Sequence, residues 1–175
     1  DRDKKWARAW VYNAGDWGAK ARLLWDRSVN DRYNNPGTPL TTRLANGRSV
    51  VRVDGDSLLM AGAGATPEGD RPFLTRVSLK DFSTKELWRC GEGCYESVVD
   101  VMSDSKLFLT MYESPTEVPN LYRREIGGGA RERLTGFEDE TPELRKIKKQ
   151  LVKYTRADGV ELSATLYLPP DYKEG

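Results

Sequence analysis

One segment of this chain repeats another, and that repeat constrains the fold more than any other feature. Ser49-Val50-Val51-Arg52-Val53 is matched by Ser97-Val98-Val99-Asp100-Val101, 48 residues further on. The same offset relates Asp56-Ser57 to Asp104-Ser105, Leu59 to Leu107, Pro67 to Pro115 and Arg76 to Arg124, and at an offset of 47 Leu87 meets Leu134. A period of about 40 to 50 residues is the mark of blades, each a four-stranded antiparallel sheet that cannot cover its own faces. Within the first repeat the pattern predicts strands at 49–53, 57–62, 73–79 and 85–90. Within the second it predicts 97–102, 107–112, 121–126 and 132–135. Turn residues separate them: Asp54-Gly55-Asp56, Glu68-Gly69-Asp70, Ser103-Asp104-Ser105 and Gly127-Gly128-Gly129.

Upstream the pattern is partial. Segments 9–12 and 22–26 read as the outer strands of an earlier blade, and 29–44 as a crossing loop. The expectation is therefore an all-β chain: a partial β-propeller of about two and a half four-stranded blades, near 1–28, 49–91 and 97–137, filling residues 1–140. Short strands with Gly and Pro turns also describe a β-sandwich, and the shared offset favours blades.

After the repeats the pattern changes. Thr141-Pro142-Glu143 predicts a short linker helix within 141–149, with Thr141 as N-cap, Pro142 at the first helical position, and Leu144 and Ile147 facing inward. A hairpin follows in 150–175. Val160, Leu162, Ala164, Leu166 and Leu168 alternate with Glu161, Ser163, Thr165 and Tyr167, a period of two that puts the apolar set on one face. Asp158-Gly159 supplies the turn and Pro169-Pro170 ends the strand. A half-buried hairpin needs a covering partner, so the chain reads as part of a larger protein.

Composition narrows the chemistry. The 28 basic and 27 acidic residues leave a net charge of +1, so no field of one sign draws in nucleic acid or anionic lipid. The cluster Arg145, Lys146, Lys148, Lys149 and Lys153 reads as a solvated linker face. No apolar run is long enough for a transmembrane helix. Histidine is absent, so neither a Ser-His-Asp nor a Cys-His arrangement can be completed within the chain. Two cysteines, Cys90 and Cys94 in CGEGC, are too few for an all-thiolate zinc site. They read as unpaired thiols at a turn, with a local disulfide as the alternative in an oxidising compartment.

The remaining motifs have plain readings. Gly62-Ala63-Gly64-Ala65-Thr66-Pro67-Glu68-Gly69 lacks the Lys-Ser/Thr of a phosphate loop and reads as an inter-strand turn. Glu138-Asp139-Glu140 and the Asp54/Asp56 pair lack calcium-loop spacing, and no GxSxG elbow is present. Trp6, Trp10, Trp17, Trp25 and Trp88 are expected to cover blade faces rather than line a groove. Arg43, Arg71, Arg76, Arg123 and Arg124 are candidates to meet an acidic substrate, because guanidinium forks pair with carboxylates. No residue is assigned as catalytic, cofactor-binding or metal-binding, and no cofactor is expected.

Blades followed by a short helix and DGVELSATLYLPPDYKEG resemble the prolyl oligopeptidase family of serine peptidases. DRYNNPGTP, GAGATPEGDRPFL, YESVVDVMSD and ESPTEVPNLY are similar to its glutamyl endopeptidases, known from plastids and with bacterial relatives. The resemblance implies a propeller that gates an α/β-hydrolase domain, with 150–175 as the first strands of that domain. It implies a Ser-Asp-His site outside this chain, a peptide substrate cleaved after glutamate, and the missing hydrolase domain as partner. It also implies a plastid stroma, bacterial cytoplasm or periplasm as compartment. The chain alone is then expected to be inactive. The alternative is a non-enzymatic propeller or sandwich module that binds a peptide or protein.

Overall fold

The computed structural model describes residues 3–16 and 18–173, and the chain is all-β. Trp17, one of the five tryptophans singled out by sequence, lies outside the described residues. Strands β1 (Trp6–Val11) and β2 (Arg22–Ser28) form an antiparallel pair. β3 (Thr38–Pro39) opens the next sheet. The chain then leaves as a small hairpin, β4 (Thr41–Arg43) and β5 (Ser49–Val51), and returns as β6 (Val53–Asp54). β7 (Ser57–Gly62) pairs with both β3 and β6. A minor hairpin of β8 (Ala65–Thr66) and β9 (Gly69–Asp70) leads into β10 (Phe73–Ser78) and β11 (Thr84–Arg89). The sheet order is β11-β10-β7-β3.

A second sheet is a four-stranded meander of β12 (Tyr95–Val101), β13 (Leu107–Ser114), β14 (Glu117–Glu125) and β15 (Arg131–Arg133). A 3-10 turn at Pro142–Lys146 precedes the closing hairpin of β16 (Lys148–Thr155) and β17 (Glu161–Leu168). The turn of that hairpin is made as the sequence predicts. Gly159 has φ +85°, and the Arg156 N–H donates to the Val160 carbonyl at 2.8 Å.

Three expectations are corrected. First, 49–53 is not one blade strand. Ser49–Val51 pairs with Thr41–Arg43 away from the sheet, and Val53–Asp54 alone rejoins β7. The first strand is composite: the Leu40 N–H donates to the Leu59 carbonyl at 2.9 Å, and the Arg52 N–H donates to the Leu40 carbonyl at 2.8 Å. The segment 29–44 is thus only in part a crossing loop. The turn Asn46-Gly47, with Gly47 at φ +81°, lets the excursion fold back on itself. Second, matching Leu59 with Leu107 is one residue out. Arg76 lies opposite Leu59 and Arg124 opposite Phe108, and Leu59 and Phe108 are the residues buried in the shared core. The turn closed by Val101 and Phe108 is longer than the one closed by Val53 and Leu58. Third, the expected short helix is present at Pro142–Lys146 with Pro142 at its start, but it is a 3-10 helix, Thr141 makes no side-chain cap bond, and Leu144 is exposed.

The core lies between layers. Leu59, Leu74, Val101 and Phe108 fill the space between the two sheets, flanked by Leu40, Leu87, Trp88, Val98 and Ile126. Leu58, Met60 and Val77 face the other way, against Leu24 and Trp25 of β2. Both faces of β7 are therefore covered, which is why Leu58-Leu59-Met60 is continuously apolar rather than alternating. Trp25 and Trp88 cover sheet faces as expected, whereas Trp6 and Trp10 are exposed by 40% and 49%.

The contact between the two sheets also carries charge. Glu96, 1% exposed, receives Arg124 as a fork: Nε to Oε1 at 2.7 Å and Nη2 to Oε2 at 2.8 Å. Thr110 Oγ1 donates to the same Oε1 at 2.6 Å, and the guanidinium lies 5.6 Å from the Trp88 ring centroid. Arg52 stitches the sheets at the other margin, donating to the Val101 and Met102 carbonyls and to Ser105 Oγ.

Candidate functional site

Successive connections in an antiparallel meander alternate between its two ends. The connections after β2, β7, β11 and β13 fall at one end, and those after β6, β10, β12 and β14 at the other. The closing hairpin sits at the first end. Between it and the sheets lies a cleft of about 600 Å³, lined by Asp31, Arg32, Tyr33, Glu68, Asp70, Lys149 and neighbours. The connection between β7 and β10 forms its wall. Gly64 is required there: φ is +63°, and a Cβ would lie 2.0 Å from the Arg71 carbonyl oxygen. The Arg71 N–H closes the loop on the Gly64 carbonyl at 2.8 Å, and Thr66 Oγ1 donates to the Gly69 carbonyl at 2.7 Å. The glycine run is a tight inter-strand turn, in line with its plain reading.

Charges of both signs line this cleft. Arg32 reaches Asp70 at 3.5 Å, with its side chain 72% exposed. Asp31 accepts from the Asn34 side chain and then from the Asn34 backbone N–H, which holds its carboxyl below the usual range. Beside it, a second cleft of about 460 Å³ is bounded by Glu68, Asp70, Arg71, Glu92 and Cys94. Arg71 Nε donates to the Cys90 carbonyl at 3.1 Å, and its Nη1 meets Glu92 at only 3.9 Å.

The five arginines singled out by sequence are not brought together. Arg124 is consumed by Glu96 inside the sheet contact, Arg123 pairs with Glu132, and Arg76 pairs with Asp54 at 2.7 Å. Arg43 is exposed on the small hairpin. Arg71 stands at the hairpin end. Sequence reasoning missed Arg32, because its partner Asp70 lies 38 positions away and no spacing rule links two loops. Among the described residues, no group of three or more His, Cys, Asp or Glu is placed to hold a metal, and no helix is long and apolar enough to cross a membrane.

The closing hairpin has two unlike faces. Lys149, Leu151, Ser163 and Thr165 line the large cleft. The register pairs Val152 with Ala164 and Tyr154 with Leu162, so these residues share the other face with Leu166 and Leu168. Tyr154 is 51% and Leu166 43% exposed. The alternation expected from sequence is present, and its apolar face has no cover among the described residues.

No protein-family model matches the chain. A protein of Oryza sativa subsp. japonica named "Probable glutamyl endopeptidase, chloroplastic" is 37% identical over 180 aligned positions, covering 94% of this chain. Its Arabidopsis thaliana counterpart of the same name is 34% identical over 181, again covering 94%. The chain is similar to glutamyl endopeptidases. It spans 19% of the length of each of these relatives. Among solved structures, the AtxE2 isopeptidase with an astexin-3 form bound matches 78% of this chain and 22% of its own, at 16% identity and a TM-score of 0.46.

Proposed function

We propose that this chain is the substrate-gating part of a serine-type glutamyl endopeptidase. In this reading residues 1–140 are blades of a β-propeller. The turn at Pro142–Lys146 is the linker, and the closing hairpin is the first pair of strands of an α/β-hydrolase domain carried elsewhere on the full polypeptide. The observation that carries it is the hairpin: Lys149, Leu151, Ser163 and Thr165 border the cleft at one end of the sheets, and Tyr154, Leu162, Leu166 and Leu168 share the opposite face. An apolar strand face of this kind is stable only under a covering layer, and the similarity to relatives about five times longer supports a further domain as that layer.

The Ser-Asp-His triad then lies outside the chain, since the sequence contains no histidine. This chain's own residues bind and orient. The clefts beside Arg32 and Arg71 lie on the face that a peptide crosses before reaching the hydrolase domain. Arg71, held to Glu92 only at 3.9 Å, can exchange that partner for a substrate carboxylate. Cleavage after glutamate is the chemistry this favours. The test is hydrolysis of a glutamyl-peptide substrate, with labelling by a serine-directed fluorophosphonate. The full polypeptide is expected to cleave and be labelled, and the 175-residue chain to do neither. Activity from the chain alone, or none from the full polypeptide, overturns the proposal.

A further inference from the structure

Cys90 and Cys94 are free thiols whose sulfurs lie 3.8 Å apart across the turn Gly91-Glu92-Gly93. Cys90 is fixed. Its N–H donates to the Pro72 carbonyl at 2.7 Å, its sulfur accepts the Glu96 N–H at 3.2 Å, and it is fully buried. Cys94 is half-buried and sits on the turn itself. Gly91 and Gly93 have open space around them, and Gly93 has φ +72°. The turn can therefore shift as a unit. A disulfide needs sulfurs about 2.05 Å apart, so closing it takes a movement of under about 2 Å in a segment built of glycines.

We infer that Cys90 and Cys94 form a reversible disulfide that clamps the turn beside Arg71. The chemistry is thiol–disulfide exchange with a small-molecule or protein disulfide as oxidant. The accessible Cys94, as thiolate, attacks one sulfur of the oxidant and expels its other half as a thiolate. The Cys90 thiol gives its proton to solvent and attacks the Cys94 sulfur, expelling the second half. Two protein thiols and one disulfide become one protein disulfide and two thiols. The order follows from burial, which pushes the Cys90 thiol up to about 11 and leaves the first attack to Cys94. Glu92 lies between the two cysteines and faces Arg71, whose Nε is bonded to the Cys90 carbonyl. Oxidation is thus felt in the smaller cleft. The inference does not rest on the peptidase reading.

The experiment exposes the full chain to oxidised glutathione under native conditions, quenches with iodoacetamide, and maps peptides by mass spectrometry. The expected product has lost two hydrogens, carries a Cys90–Cys94 crosslink, and regains both thiols with dithiothreitol. In Cys94→Ser, Cys90 is expected to resist alkylation until the protein is unfolded. A stable glutathione adduct on Cys94, a dimer linked through Cys94, or unchanged thiols overturns the inference. Native alkylation of Cys90 in Cys94→Ser as fast as Cys94 in the parent overturns the order of attack.

Discussion

The two sheets share a repeat and a topology but not an environment. The first is covered on both faces, by β2 residues Leu24 and Trp25 on one side and by the second sheet on the other. Among the described residues, the second is covered on one. Phe108 and Thr110 are fully buried toward the first sheet, while Leu109 and Met111, on the opposite face, are only half-buried. The same four-stranded unit therefore behaves as an interior layer in one place and as an end layer in the other. The difference lies in what each face meets, because a strand sends alternate side chains to opposite faces.

That contrast can be broken by substitution. Phe108→Ala, in the space between the sheets, is expected to cost about 3–5 kcal/mol in urea unfolding. Leu109→Ala, one residue away on the uncovered face, is expected to cost about 1 kcal/mol or less in the isolated chain. Equal losses would mean that the far face is covered after all. In the full polypeptide, a rise in the Leu109→Ala cost would show that a further layer lies there.

The ion pairs sharpen the same comparison. Glu96→Ala strands the Arg124 guanidinium inside the sheet contact, and a loss of about 3 kcal/mol is expected. Asp54→Ala removes the corresponding partner of Arg76 in the first sheet, where both side chains are partly solvated at 28% and 36%. There the expected loss is about 1 kcal/mol or less. Thermal melts of the two variants under one buffer decide whether burial or mere pairing matters.

The smallest effect is a titration. In the first sheet, Asp81 accepts from Ser83 Oγ, then from Ser78 and the Ser83 N–H, which lowers its carboxyl to about 2. In the second sheet, Asp104 is lowered chiefly by the Lys106 backbone N–H. Each carboxylate is favoured in the folded state, so its contribution is present above the ordinary value of 3.8 and fades as pH falls through the folded value. For Asp81 the window is about pH 4 to pH 2. Carboxyl NMR titration is expected to find that Ser83→Ala raises the Asp81 midpoint and leaves Asp104 in place.

How much of this could be read in advance follows from range. The strands at 57–62 and 107–112, the Asp158-Gly159 turn and the alternation after Val160 were legible, since each depends on neighbours within a few positions. The break at Leu40 was not. Segment 49–53 has strand composition whichever partner it takes, and its pairing with Thr41–Arg43 depends on the Asn46-Gly47 reversal. The linker helix was legible in place but not in type. Thr141 and Pro142 carry helix-start chemistry, but a five-residue 3-10 segment with an exposed Leu144 has no buried face to extend it.

By itself the sequence determined an all-β chain, the rough placement of its repeated strands, and the exclusion of histidine chemistry from its own residues. Those depend on residue type and on period, which are local. The tertiary structure alone decided that Arg124 belongs to Glu96 rather than to a substrate, and that Arg32 meets Asp70 across a cleft. It also brought the two sulfurs of CGEGC to 3.8 Å. Those depend on which loops and faces the sheets bring together, and side chains far apart in sequence acquire partners only when the layers pack.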